Sequence, residues 1–288
     1  MNIHDVRVQA LAATTATVAL GTLYSVIASS YVDTSDPLLT HLPHPLGHTH
    51  VFANKANSLN TVFIKNAWGW TTAAAAAAVA ARPPRRALPQ ILRWVVATAV
   101  WLAFAGWFFG PPLIDRVAMA SGGECVLVVP YEDMEQIVVL PHEYCFQRTK
   151  VSPETHPDLF TAQLDATTGS YVIPSSWGGR PRLRRGHDVS GHIFLLTMSI
   201  LVLADQLRPL LKSQAPKTMA RGLAIAANVG MIGLWLFAAG VTSVYFHTPE
   251  EKVTGFLLGL AGFAATLLVP IRHEPTLRRT RFEPSRVM

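Results

Sequence analysis

Two histidines have the neighbours and spacing that could do chemistry. His192 ends the polar run Gly186-His187-Asp188-Val189-Ser190-Gly191-His192 and opens the apolar run beginning Ile193-Phe194-Leu195-Leu196. His247 follows the end of a later apolar run at Tyr245-Phe246, with Thr248, Pro249, Glu251 and Lys252 behind it. A helix N-capped by Asp188 or Ser190 would turn free backbone N–H groups and a partial positive charge toward a bound anion. Gly191 lets that backbone come close to the anion. An imidazole at the same rim can give a proton to a leaving oxygen. His247 suits the complementary task. If the turn past Pro249 is helical, Glu251 reaches the ring and fixes its tautomer. A histidine held in this way is a nucleophile toward phosphorus, giving a phosphohistidine, and Lys252 supplies positive charge for a phosphate. Ser-Gly-His alone is a weak signal; the pairing gives it weight.

The elements that must position this pair are apolar. Half of the 288 residues are hydrophobic and only 15% are charged, against roughly 25% in soluble domains. Mean hydropathy is +0.29. The net charge of +6 raises nucleic acid as a partner. However, Lys and Arg cluster between apolar runs and form no basic face interleaved with aromatics, so a membrane protein is expected and nucleic acid is excluded. Runs near 8–29, 59–81, 91–114, 189–204, 222–246 and 255–271 are each read as a span; about 20 apolar residues cross a ~30 Å hydrocarbon core. The first could instead be a cleaved signal peptide, but it is longer than the usual ~7–15-residue apolar region. The expected fold is an all-α integral membrane protein, one polytopic unit over 1–288. A long loop at 115–188 carries a short β-hairpin, Cys125–Val129 with Gln136–Leu140, and a basic tail covers 272–288. Consecutive spans run in opposite directions, so the start of the fourth and the end of the fifth fall on one face.

The positive-inside rule sets the orientation. The turn 82–93, the linker 208–221 and the tail are basic and alternate onto one side. Both termini are therefore expected in the cytosol, with the long loop and both histidines on the opposite, lumenal face. An oxidising lumen makes Cys125 and Cys145 candidates for a disulfide. The connector 31–60 holds His41, His44, His48 and His50. Imidazoles at such spacing can bind metal, but Pro43 and Pro45 break any helix that would align them, and a solvated loop is the plainer reading. No metal is assigned. Lys65, near the start of the second run, is either a phosphate-directed cation or an anchor that snorkels beside Trp68 and Trp70.

With these residues in hand the chain resembles the fat storage-inducing transmembrane proteins, which include the yeast Scs3 type. The resemblance rests on residues 186–197, on Tyr245-Phe246-His247-Thr248 with Glu251, Lys252 and Gly255, and on Asn60 to Trp70. Together these cover roughly residues 50–265. It implies six spans with cytosolic termini in the endoplasmic reticulum, and kinship with lipid phosphate phosphatases. The implied activity is acyl-CoA diphosphatase: fatty acyl-CoA is split into acyl 4′-phosphopantetheine and adenosine 3′,5′-bisphosphate, in support of lipid droplet formation and membrane lipid homeostasis. The family's two active histidines fall on His192 and His247. Asp188, Ser190, Gly191, Glu251, Lys252 and Lys65 are the supporting candidates. The wider superfamily places Ser-Arg ahead of its second histidine, whereas this chain has Thr242-Ser243. Phosphate clamping is therefore left to Lys65, Lys252 or the group 180–185. His187 stands where the pattern has an aromatic. No cofactor is identified.

A different class competes: a non-enzymatic protein that binds and partitions neutral lipid such as triacylglycerol or diacylglycerol. Only the enzyme needs two histidines on one face beside cations. A transporter is disfavoured, because no internal repeat is evident and no span beyond Lys65 is expected to bury a charge.

Overall fold

The computed structural model describes residues 5–32, 44–82, 87–106, 111–131, 134–147, 149–160, 173–212 and 218–269. The helices that matter for the site are α1 Val6–Ile27, α2 Ala67–Ala80, α3 Leu88–Ala105 and α4 Leu113–Ala120. They are followed by α5 His142–Gln147, α6 Gly191–Lys212, α7 Met219–Tyr245 and α8 Pro249–Leu267. His41 and the tail 272–288 lie outside the described residues.

Four helices (α1, α3, α6 and α7) are long and apolar enough to cross a membrane. The chain is thus a mostly helical, multi-pass membrane protein. The two remaining expected spans differ in kind. α2 has 14 α-helical residues, preceded by a π-turn at Leu59–Phe63 and a 3-10 turn at Ile64–Asn66. α8 begins with Pro249, Glu250, Glu251 and Lys252, six residues ahead of the expected start, because Thr248 and Glu251 close a capping box there.

α6 is the hub. It is buried nearly all round and packs against α1, α2, α3, α7 and α8, as a helix apolar on every face must. It runs on to Lys212 through Pro209, so the linker expected from 205 is helical in its first half. The expected span 91–114 is also corrected. α3 stops at Ala105 because Gly106 is extended, and Pro112 leads into the separate α4.

Close packing is bought with small residues. A Cβ on Gly255 would lie 2.5 Å from the Ser190 carbonyl oxygen, and one on Gly259 2.8 Å from that of Phe194. Glycines four residues apart on one face of α8 thereby let its backbone rest on that of α6. Indole N–H groups bond α2 to its neighbours: Trp235 to Thr71 at 3.0 Å, Trp68 to Thr98 at 3.3 Å and Trp94 to Thr72 at 3.1 Å.

The expectation of no buried charge beyond Lys65 is wrong. Arg93 Nη1 lies 2.7 Å from Asp205 Oδ2, and both residues are buried. Arg7 reaches the other Asp205 oxygen at 3.5 Å, and Arg208 meets Asp5 at 2.8 Å. Charges in an apolar bundle persist only when paired. This network fastens α1, α3 and the C-terminal end of α6, the end away from His192. It is a clasp between helices and gives no support to a transport path.

Between α4 and α6 the expected hairpin is present as β1 Glu124–Tyr131 and β2 Met134–Leu140. A third strand not foreseen, β3 Arg182–Arg184, pairs antiparallel with β1 and gives the order β2-β1-β3. Three basic-rich residues carry too little apolar alternation to read as a strand. A disulfide joins Cys125 to Cys145 over 20 residues, beneath an apolar cluster that includes Leu127, Val129 and Leu140.

Gly259→Ala should lower the thermal unfolding midpoint in detergent, since overpacking of this kind costs about 1–3 kcal/mol. Gly222→Ala, with nothing within 4 Å of the added carbon, should be neutral or slightly stabilising. Equal midpoints for the two variants would contradict the close approach of α6 and α8.

Candidate functional site

The two histidines meet. A cavity of about 170 Å³ is lined by both His192 and His247. Its other polar lining comes from Lys55, Asn57, Asn60 and Thr242, and its apolar lining from Phe52, Leu59, Ile64, Val241 and Phe246.

His192 occupies the second position of α6. The helix start is fixed by backbone: the Phe194 N–H donates to the Ser190 carbonyl at 3.0 Å, and the Ser190 N–H donates to the Glu251 carbonyl at 3.1 Å. The second bond runs from the entry of α6 to the first turn of α8, so His192 and Glu251 are positioned by one contact. Ser190 does not act as the expected side-chain cap; its hydroxyl is buried and makes no hydrogen bond.

His247 lies just past the end of α7, at φ +65°. A non-glycine residue in the left-handed region costs roughly 1 kcal/mol and persists where its surroundings over-determine it. Several bonds do so here. Phe246 N–H donates to the Thr242 carbonyl at 3.0 Å, and Val32 N–H donates to that of Tyr245 at 3.2 Å. The Ser30 hydroxyl donates to the Val244 carbonyl at 2.8 Å. On the far side of the turn, Thr248 N–H donates to Glu251 Oε2 at 2.9 Å. The outcome is a histidine whose Nδ1 sits 3.2 Å from Glu251 Oε2 and 3.8 Å from Asp188 Oδ2. Glu251 is buried, at 2% exposure. A buried carboxylate on Nδ1 holds the proton there and makes Nε2 the basic nitrogen.

The other expected site residues separate. Lys252 is fully buried, and its Nζ donates to Ser25 Oγ at 2.8 Å and lies 5.0 Å over the Tyr31 ring. It does not line the cavity; it fastens α8 to α1. Its ammonium is engaged with Ser25 and Tyr31 and stands outside the cavity lining where a phosphate role was expected. Lys65 is exposed on the 3-10 turn ahead of α2 and outside the cavity lining, within electrostatic range of His192. Gly191 meets nothing closer than an Ile114 methyl, at 3.7 Å from an added Cβ, so no close approach demands glycine there. Among the described residues, the group of three His or carboxylate side chains with atoms within 4.8 Å of one another is Asp188, His247 and Glu251.

His187 now has an account. Its backbone N–H donates to Ser121 Oγ at 2.7 Å, and its Nε2 meets Thr254 Oγ1 at 2.8 Å. It ties the long loop to α4 and α8. Gly186 before it stands at φ +72°, with an added Cβ 2.2 Å from the Ala118 carbonyl oxygen; only glycine makes that turn.

Lys55, Asn57 and Asn60 were not singled out by chemistry. Asn54, Asn57 and Asn60 recur at every third residue, and that spacing was the available signal. Ala56 N–H donates to Asn54 Oδ1 at 2.8 Å, Asn60 N–H to Asn57 Oδ1 at 2.9 Å, and Asn60 Nδ2 to the Lys55 carbonyl at 2.7 Å. The three amides replace a regular ladder and shape one wall of the cavity.

Most of the described connector, residues 44–60, is exposed as expected of a solvated loop, and His44 departs from it. His44 is 5% exposed. Its Nδ1 accepts from Leu46 N–H at 3.0 Å, so its Nε2–H donates to the Tyr245 carbonyl at 2.9 Å. Its ring also stands edge-on to Tyr245 and Phe246. It is a latch on the turn that presents His247. His48 and His50 are exposed.

Apolar helices of span length, with a histidine pair in one cavity at their common end, define a multi-pass membrane protein with a candidate hydrolytic centre. Residues 48–226 and 211–267 match the model of the fat storage-inducing transmembrane proteins, and the chain belongs to that family. It is 30% identical over 246 residues to acyl-coenzyme A diphosphatase fit1 of Schizosaccharomyces pombe, covering 85% of this chain and 77% of that one. It is 26% identical to acyl-coenzyme A diphosphatase FITM2 of Danio rerio, over 76% of this chain and 73% of the other. With fat storage-inducing transmembrane protein 1 of Homo sapiens it shares 28% identity, over 73% of this chain and 61% of the other. No solved structure matches.

Burial holds His44 below its ordinary pKa, ahead of the opposing effect of its bond to Tyr245. Protonation would also set a ring N–H against that of Leu46. A lowered histidine pKa contributes stability that is complete above about 6.5 and is lost as pH falls below it. The unfolding midpoint should therefore drop between pH 6.5 and 5. The drop should be smaller in His44→Gln, which keeps a donor toward Tyr245 and does not titrate. Superimposable pH profiles would show that His44 is not the group responsible.

Proposed function

We propose that this protein is a membrane-bound acyl-CoA diphosphatase of the endoplasmic reticulum, with six spans, cytosolic termini and a lumenal active site. It cleaves the pyrophosphate of fatty acyl-CoA to acyl 4′-phosphopantetheine and adenosine 3′,5′-bisphosphate. The observation that carries the proposal is one cavity lined by both histidines, with Glu251 on Nδ1 of His247. The names of the relatives support the substrate, and the basic stretches of the sequence support the orientation.

In this reading Nε2 of His247 attacks one phosphorus of the pyrophosphate. The new N–P bond forms as the bond from that phosphorus to the bridging oxygen breaks. His192 gives its proton to the departing oxygen. It is then neutral and takes a proton from water, which attacks the phosphohistidine and frees the second product. Glu251 stabilises the positive charge that grows on the His247 ring. The acyl chain stays among the helices, where each CH₂ contributes about 0.8 kcal/mol, and the nucleotide stays in water. The reaction consumes acyl-CoA at the membrane, which is the link to lipid droplet formation and lipid homeostasis.

Purified protein should release adenosine 3′,5′-bisphosphate from oleoyl-CoA, and His247→Ala should abolish the release with insertion unchanged. His192→Ala should slow it by about 10²–10⁴-fold. Glu251→Gln should be intermediate, and it is informative because glutamine also serves in a capping box and so leaves α8 intact. Full activity in the His192→Ala, His247→Ala double variant would leave neutral-lipid partitioning as the function.

The topology has its own test. Met219 and Ser176 are both exposed. Single cysteines placed there, with the native disulfide kept, should react with an impermeant maleimide from opposite faces of sealed microsomes. Labelling of both from outside would refute the orientation.

A further inference from the structure

Lys55 is a cation in the wall of the histidine cavity, yet it is not needed for the two proton and phosphoryl transfers. It is held from behind: its carbonyl accepts from Asn60 Nδ2, and its loop is braced by Asn54 and Asn57. The charged group that acts on it is Arg182, at the start of β3. Among the described residues neither Lys55 nor Arg182 has a carboxylate within ion-pair distance, whereas the next arginines along β3 do. Arg184 lies 3.8 Å and Arg185 3.0 Å from Glu124. Partial desolvation and, after it, the Arg182 guanidinium hold the Lys55 ammonium below its ordinary pKa.

Lys55 in the cavity wall and Arg182 within its electrostatic range are like charges that repel, and a bound polyanion relieves that repulsion. The chemistry of the expected substrate limits which anion this is. The pyrophosphate must reach both histidines on the cavity floor. Beyond it, the nucleotide half carries one more charged group, the 3′-phosphate of the ribose, a dianion suited to an ammonium and a guanidinium together.

We propose that Lys55 and Arg182 form a subsite for the 3′-phosphomonoester of the leaving nucleotide. The subsite makes the enzyme specific for coenzyme A thioesters over other lipid pyrophosphates and phosphates. The inference rests on the diphosphatase reading, and it names the group by which that substrate is recognised. The loop 44–60 and the sheet, which come from opposite sides of the sequence, each contribute one cation. That division explains why the extramembrane sheet extends to a third, arginine-bearing strand.

The test compares oleoyl-CoA with oleoyl-3′-dephospho-CoA as substrates for the full-length protein in detergent, alongside direct binding of adenosine 3′,5′-bisphosphate and AMP. The wild type should show a KM for the dephospho substrate higher by roughly tenfold or more, as expected for lost charge-assisted hydrogen bonds, with kcat little changed. It should also bind the bisphosphate more tightly than AMP. Lys55→Ala with Arg182→Ala should raise KM for oleoyl-CoA to the value for the dephospho substrate and leave the latter unaltered. Lys55→Arg should keep most of the discrimination. Equal KM values for the two substrates in the wild type would overturn the subsite. So would an equal loss on both substrates in the double variant, the outcome expected if these cations read lipid headgroups or merely brace the loop. A protein that distinguishes bisphosphate from AMP through Lys55 and Arg182 but never cleaves oleoyl-CoA would refute the diphosphatase reading and leave the subsite standing.

Discussion

The hydrogen bond from the Ser190 N–H to the Glu251 carbonyl is the contact on which the site depends. It forms because Gly255 and Gly259 let α8 approach α6 to backbone contact. It sets the entry of α6 against the first turn of α8, and in the proposed mechanism each carries one half of the chemistry. His192 follows Ser190 by two residues on α6. Glu251 lies on α8 and turns its carboxylate to His247 and to the N–H of Thr248. A carboxylate in this position serves twice, as the N3 residue of a capping box and as the orienter of a ring. The stability of the helix start and the orientation of the ring are therefore one constraint. The same crowding explains the isolated Ser190 hydroxyl, which is shut in between α6 and α8 without a partner.

Around that contact the chain spends its irregular backbone on one end of the bundle. The left-handed His247, the π-turn at Leu59–Phe63, the His44 latch and the asparagine wall all gather at the cavity. π-turns and strained residues collect where side chains must be aimed at a ligand. Among the described residues the other end is regular helix, closed by the Arg93–Asp205 pair and its neighbours. Charge is handled oppositely at the two ends. At the closed end the buried Arg93 faces an acid, because an unpaired charge would be intolerable in an apolar setting. At the open end, among the described residues, Lys55 and Arg182 have no carboxylate within ion-pair distance.

The histidine pair was legible from residue types alone. Both sit at the boundary of an apolar run, and the alternation of spans brings the boundaries together. The Glu251 contact was legible from i, i+4 spacing once α8 was allowed to start early. Lys252 follows Glu251 directly, and adjacent helical residues point about 100° apart, so its ammonium goes to Ser25 of α1 while the Glu251 carboxylate goes to His247. Asp205 and Arg93 were missed because each lies at the edge of an apolar run, and sequence does not reveal that the edges of different runs meet. His44 was assigned to solvent because prolines flank it. In the structure Pro45 instead opens a short 3-10 turn that turns the ring toward Tyr245. The strand β3 has no pattern of its own to detect; it exists because β1 offers it an edge.

A cavity that holds two histidines at the end of apolar helices divides the work of binding in a useful way. An acyl chain gains its affinity from the bilayer and the helix faces, in proportion to the CH₂ groups kept out of water. That affinity is the same before and during reaction, so it lowers the concentration needed without changing the barrier. In the proposed mechanism the groups in the cavity are then free to act on what changes during the reaction: charge on the His247 ring, charge on the departing oxygen and the proton that His192 moves. Rigid placement matters more for these than for holding the chain, since a small displacement of the ring costs far more in rate than in affinity. The concentration of hydrogen bonds on residues 244–248, set against the smooth apolar surfaces of α1 and α7, follows from that division.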